Sequence, residues 1–74
     1  DAVTVALDLL RQAGREAAAE PGRELTLVAA PAVIAALQDA ARPAFDELAR
    51  RLGAAPELRA DPSRPRESPE ILLA

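Results

Sequence analysis

The apolar positions near the start of the chain follow helical spacing. Between residues 3 and 19 they recur every three or four positions, and charged or amide side chains take the other side. This pattern predicts an amphipathic helix, which either Asp1 or Thr4 is placed to cap. The predicted inward stripe consists of Val3, Leu7, Leu10, Ala13 or Gly14, and Ala17.

A denser apolar run and two prolines organise the middle of the chain. Residues 24–30 are fairly apolar on both alternating faces, which predicts a central strand. Pro31 suits the first turn of a short second helix, where the missing N–H of proline costs nothing. Pro43 cannot lie inside a continuous helix, so we expect a break near residues 41–42 and a third helix over residues 43–52.

The last third of the chain reads as two strands and a connection. Residues 56–61 alternate polar and apolar side chains, as in a strand with one wet face, and residues 68–73 end in Ile-Leu-Leu. The connection, residues 61–67, contains two prolines and should be extended. The order α-β-α-α-β-β predicts one small α/β (α+β) domain over residues 1–74, with a roughly three-stranded mixed sheet. A crossover between the first two strands would be right-handed if they are parallel, and the final strand is free to return antiparallel.

The composition narrows the chemistry that the chain offers. The sequence contains no His, Cys, Tyr, Trp, Met or Lys, so Cys/His metal sites are excluded and most general bases and nucleophiles are missing. A formal net charge of −3 argues against an autonomous nucleic-acid binder. No apolar stretch approaches the roughly 18–20 residues that span a bilayer. The missing initiator Met suggests a fragment of a longer protein.

Three arginines form the most RNA-like feature of the sequence. Arg59, Arg64 and Arg66 lie on the second predicted strand and its following connection. One interpretation is an auxiliary RNA contact through phosphate groups. The favoured one is a solvated loop, because Asp61 and Glu67 dilute the charge and no aromatic side chain is nearby to stack a base.

The third predicted helix carries two adjacent carboxylates and the only aromatic residue. Asp46 and Glu47 together raise the question of a magnesium site, but neighbouring helix positions point about 100° apart. Ion pairs of Asp46 with Arg50 and of Glu47 with Arg51 explain them better. Phe45 is expected in the core, with a partner-facing anchor as the alternative.

The whole pattern resembles the segment of bacterial ribonuclease E/G family proteins that follows their zinc-link cysteines. No single motif carries the resemblance, which rests on a joint arrangement across essentially all 74 residues. The matching segments are residues 6–11 and 15–17 in the first helix, 25–33 followed by 36–37, 48–53, and Asp61-Pro62 with residues 66–69.

The resemblance implies a parent protein that is a cytoplasmic, magnesium-dependent single-strand RNA endonuclease, an RNA-processing hydrolase that is often oligomeric. In that family the metal-binding carboxylates, the RNA-binding S1 domain and the zinc-link cysteines all lie upstream of this segment. We therefore expect no catalytic, cofactor or metal residue in these 74 residues, with Mg²⁺ and Zn²⁺ belonging to the parent. The chain would be an accessory or assembly domain, inactive alone, whose partners are the rest of the parent nuclease and, through it, RNA.

Two alternatives stay open on the sequence. The chain could be a protein-interaction module unrelated to RNA, which the upstream part of the gene would reveal. It could also be a minimal enzyme, which would require a cleft with perturbed carboxylates.

Overall fold

The computed structural model describes residues 1–74 and contains six elements in the order α-β-α-α-β-β. The helices are α1 (Ala2–Ala19), α2 (Pro31–Leu37) and α3 (Arg42–Leu52), and the strands are β1 (Leu25–Ala29), β2 (Glu57–Ala60) and β3 (Glu70–Leu73). The predicted small α/β fold with a three-stranded mixed sheet is confirmed. Each strand is two residues shorter than predicted. None of the helices has the length and apolarity needed to span a membrane.

Helix α1 is capped by Asp1 and not by Thr4. The Thr4 N–H donates to Asp1 Oδ1 at 2.8 Å, which satisfies one of the free amides of the first turn. The predicted inward stripe was partly wrong, because the helix is rotated so that Val3 and Leu7 are only half-buried. Its buried residues are Ala6, Leu9, Leu10, Ala13 and Ala17.

Proline and glycine set the limits of the next two helices as the sequence predicts. Pro31 opens α2, and the break before α3 is confirmed, with Pro43 in its first turn. Gly53 ends α3 in the left-handed conformation at φ 81°, a conformation that glycine adopts without steric cost. Phe45 is only 9% exposed and belongs to the core, so the core interpretation of this side chain is confirmed.

Strand β1 is the centre of the sheet, whose strand order is β2-β1-β3. It pairs in parallel with β2, where Leu27 lies opposite Leu58, and antiparallel with β3, where Leu27 lies opposite Ile71. The connection from β1 to β2 runs through α2 and α3, and β3 returns antiparallel as the sequence allowed. β2 and β3 are therefore the two edges of the sheet.

All three helices contribute to one core on one face of the sheet. Leu25, Leu27 and Ala29 of β1 belong to that core, and Leu58, Ile71 and Leu73 pack against it. Alternation along a strand sends the intervening side chains to the opposite face. We call this opposite side the open face, and its strand residues are Thr26, Val28, Glu57, Arg59, Glu70 and Leu72.

Candidate interaction surface

The open face is built from polar pairs around an apolar centre. Thr26 Oγ1 donates to Glu57 Oε1 at 3.1 Å, and Arg59 Nη2 lies 3.5 Å from the same oxygen. Leu72 is the exposed large apolar residue of the molecule, at 37% exposure. Val28, also on this face, is only 6% exposed. The face thus offers an exposed leucine on β3 and a charged pair on β2, with Thr26 of β1 between them.

Arg64 holds the connection between β2 and β3. Its Nη1 donates to the carbonyl oxygen of Ser68 at 3.0 Å, and its Nη2 donates to Glu70 Oε1 at 3.0 Å. Its Nε lies 3.6 Å from Asp61 Oδ2, and the side chain is 26% exposed. The guanidinium is therefore occupied by groups of its own chain.

Asp61 is the first residue of the same connection, and its side chain accepts the hydrogen bonds that hold a tight turn. Its Oδ1 accepts hydrogen bonds from the Ser63 hydroxyl at 2.7 Å and from the Ser63 N–H at 3.0 Å. These bonds, with a smaller contribution from the charge of Arg64, lower the pKa of the Asp61 carboxyl below its usual 3.8. The Asp61 N–H in turn donates to the Ala29 carbonyl at 2.8 Å, which ties the turn to the end of β1.

The three arginines predicted as a weak RNA contact have different surroundings. Arg59 is paired with Glu57, and Arg64 is held by Asp61, Ser68 and Glu70. Arg66 is exposed and makes no ion pair or hydrogen bond within the chain. The structure thus leaves one free guanidinium among the three, and RNA contact by any of them stays a prediction.

The carboxylates of α3 are in ion pairs, but not the predicted ones. The predicted partner of Asp46 was Arg50, one turn later. Asp46 instead accepts a hydrogen bond from Arg42 Nε, one turn earlier, at 2.9 Å. Glu47 pairs with Arg50 at i+3, where Arg51 was predicted. Partners three and four residues away are both within reach on a helix, so spacing alone did not decide between them. No group of three or more acidic side chains that could hold a metal ion occurs in the structure.

The C-terminal end of the edge formed by β3 is capped by an arginine that the sequence analysis missed. Arg23 Nη2 donates to the Leu73 carbonyl at 2.9 Å, and Arg23 Nε donates to the Ala74 carbonyl at 2.8 Å. Arg23 also pairs with Glu20 beyond the end of α1. Because these partners are 50 and 51 residues apart in sequence, no local pattern could have signalled the contact.

The edge formed by β2 carries no such closure. The register pairs Leu27 with Leu58 and Ala29 with Ala60, and the Asp61 N–H donates to Ala29 O. In a parallel pair, every second residue of a strand bonds its N–H and C=O to the neighbouring strand. The N–H and C=O groups of the residues in between point outward. The N–H and C=O groups of Leu58 and Ala60 therefore point away from the sheet, and no side chain of the molecule donates to or accepts from them.

A groove of about 780 Å³ lies between the C-terminal ends of α1 and α3 and the start of the sheet. Gly14, Leu48, Arg51, Leu52 and Pro56 line it, so its wall is mixed apolar and charged. Asp61, whose pKa is lowered, does not line this groove. The groove and the carboxyl group with the shifted pKa therefore lie apart. Together they do not form the cleft with a perturbed carboxylate that a minimal enzyme would require.

The molecule thus presents an open sheet face, one edge whose C-terminal end is capped by Arg23 and one edge without such a cap. No family model matches the chain, and no curated protein and no solved structure was found to match it.

Proposed function

We propose that this chain is a non-catalytic accessory and assembly domain of a ribonuclease E/G type single-strand RNA endonuclease, acting in RNA processing and decay. The observation that carries the assembly role is the one-sided packing of the sheet, with all helices in one core and the opposite face and the β2 edge uncovered. The link to the nuclease is supported by the resemblance of the sequence alone.

The surroundings of the charged side chains support a scaffold role. Asp46 and Glu47 neutralise neighbouring arginines on α3, and Arg64 binds the chain's own carbonyl and carboxylate oxygens. Charges used in this way stabilise local structure and are not free for chemistry on a substrate. Uncovered sheet surface and free edge groups, in contrast, are suited to binding another protein segment.

In this proposal the chemistry of the parent belongs to its upstream regions. Mg²⁺ and Zn²⁺ would be bound there, RNA would reach this domain only through the parent, and the parent would act in the cytoplasm, as the resemblance implies. Within this chain, Arg66 is the one of the three candidate arginines that offers a free guanidinium to a passing phosphate.

The direct test is an RNA-binding and cleavage assay on the isolated chain, using a 5′-monophosphorylated single-stranded RNA and Mg²⁺ at low and moderate salt. We expect no cleavage and at most weak binding that salt abolishes. If Arg66 makes the residual contact, Arg66→Ala removes it, whereas Arg15→Ala on the exposed side of α1 leaves it unchanged. Turnover that is lost when one Asp or Glu is substituted would refute the non-catalytic role.

A second test addresses the parent. The reading frame upstream of residue 1 is expected to encode an S1 domain, a nuclease domain and a Cys-Pro-x-Cys zinc-link segment. A frame that lacks all three would instead support a protein-interaction module unrelated to RNA.

A further inference from the structure

The β2 edge has an alternating chemical pattern that limits what can pair with it. Its outward main-chain groups belong to Leu58 and Ala60, as the register with β1 requires. The side chains of Glu57 and Arg59, of opposite charge, lie on the open face on either side of Leu58. A strand that adds to this edge must supply matching hydrogen bonds and the opposite order of charges.

A second copy of the same edge meets both requirements when it runs antiparallel. We propose that β2 pairs with β2 of a second copy about a two-fold axis that passes through Leu58, perpendicular to the sheet. The Leu58 N–H and C=O would bond those of Leu58 in the second copy, and the Ala60 N–H would donate to the Pro56 carbonyl of the second copy. The inference rests on the assembly role proposed above and names the partner of the free edge.

Charge order and the position where β2 ends select this register among the three that the outward groups allow. With Leu58 opposite Leu58, Glu57 of each copy faces Arg59 of the other, so both cross-strand pairs are attractive. Moving the register so that Leu58 faces Ala60 places Arg59 against Arg59, and like charges directly opposite are unfavourable. Centring the pair on Ala60 places Leu58 against Pro62, which lies in the turn that follows β2 and not in extended chain.

The geometry also joins the two copies into one continuous layer. A two-fold axis perpendicular to the sheet keeps both helical layers on the same side and both open faces on the other. The half-buried side chain of Leu58, which packs beside the core, would meet Leu58 of the second copy on the helical side. The product is a six-stranded sheet in the order β3-β1-β2-β2-β1-β3, in which β3 with its Arg23 closure forms both outer edges.

The first measurement is self-association of the 74-residue chain, by sedimentation and by amide hydrogen exchange at increasing concentration. An interface this small is expected to be weak, so dimers should accumulate only toward about 1 mM chain. The Leu58 and Ala60 amides should become protected as dimers form, whereas the outward Ile71 amide of β3 should not. A chain that stays monomeric, or a dimer that protects Ile71 and not Leu58, would overturn the proposal.

Charge reversal tests the register. Arg59→Glu and Glu57→Arg each place like charges opposite one another and should lower the association constant about tenfold or more. Their equimolar mixture restores opposite charges at both positions and should form the mixed dimer preferentially. Arg66→Glu is the matched control, since it makes the same charge change at an exposed, unpaired site and should leave association unchanged.

A main-chain variant tests the hydrogen bonds independently of charge. Ala60→Pro removes an N–H that points outward and serves no bond within the chain, so the fold should persist, as circular dichroism would check. Its association should fall as well. Equal association of wild type, Arg59→Glu and Ala60→Pro would exclude the β2 interface. RNA cleavage by the monomer would instead refute the accessory role, so the two failures are distinguishable.

Discussion

The two edges of the sheet are alike in length but differ in how they end. β2 and β3 each contain four residues and each pairs with β1. At β3, Arg23 occupies the carbonyls of Leu73 and Ala74, and Arg64 anchors the start of the strand through Glu70 and the Ser68 carbonyl. At β2 no side chain binds the outward main-chain groups.

The difference suggests how this small sheet is protected from unwanted pairing. An exposed apolar edge is a template for aggregation, and natural sheets block such edges with charged side chains, prolines or short strands. β3, with the sequence Glu-Ile-Leu-Leu, is the more apolar edge and is the one whose two ends are held by arginines. β2 alternates charged and small or apolar residues, a pattern that disfavours pairing with a strand that places like charges opposite Glu57 or Arg59.

The largest effect on the free energy of unfolding is expected from removing the Arg64 side chain, which anchors the start of β3. Arg64→Ala removes two hydrogen bonds to the chain's own oxygens, one of them to a carboxylate, from a side chain that is only 26% exposed. The free energy of unfolding should fall by about 2 kcal/mol, measured by urea denaturation. Arg66→Ala, two residues along the same connection, should change it by less than about 0.5 kcal/mol. Equal effects would mean that Arg64 does not anchor β3.

A smaller effect is expected at the other end of the same strand. Arg23→Ala frees the Leu73 and Ala74 carbonyls and should lower the free energy of unfolding by about 1 kcal/mol. Because it also uncovers the edge, the variant should aggregate faster on concentration, as light scattering would record. Arg15→Ala, an exposed and unpaired arginine on α1, serves as the control. If both variants aggregate alike, Arg23 is not an edge guard.

The sequence predicted the features that depend on neighbouring residues. Helical spacing, the geometry of Pro31 and Pro43, and the apolar run of β1 each act within a few positions, and the structure confirms the elements they indicate. The polar alternation of residues 56–61 predicted a strand with one wet face, and Glu57 and Arg59 of β2 do lie on the open face.

The features that sequence reasoning missed depend on geometry between distant segments or on side-chain conformation. Arg23 reaches the last two residues of the chain only because β3 folds back beside β1. The partners of Asp46 and Glu47 follow from which rotamer reaches which arginine, not from spacing. The buried stripe of α1 includes Ala6, a small residue that a search for large apolar side chains does not reveal.

A substitution in α1, away from both edges of the sheet, tests whether the effects of Arg64→Ala and Arg23→Ala are independent of the stability of the helical layer. A Cβ at Gly14 would lie 3.5 Å from Arg51 Nη2 and 3.7 Å from Leu48 Cδ1, which are ordinary contacts. Gly14→Ala should therefore raise the free energy of unfolding by about 0.5–1 kcal/mol through the higher helix propensity of alanine. The Arg64→Ala and Arg23→Ala effects should be unchanged in this more stable background, as urea denaturation of the double variants would show. A destabilised Gly14→Ala would mean that α1 and α3 approach more closely than these distances imply.

The smallest expected effect concerns pH and the turn that leaves β2. Hydrogen bonds from Ser63 hold the pKa of Asp61 below the unfolded value of 3.8, so the folded state favours the charged carboxylate. The stability that this carboxylate contributes should be fully present above pH 3.8 and should disappear as pH falls through the lowered folded pKa. Asp61→Asn should lose stability relative to wild type only above this range, in urea denaturation across the acid limb. A difference between the two proteins that does not shrink on acidification would show that the Asp61 charge does not stabilise the turn, leaving the Ala29–Asp61 main-chain bond to hold this end of β2.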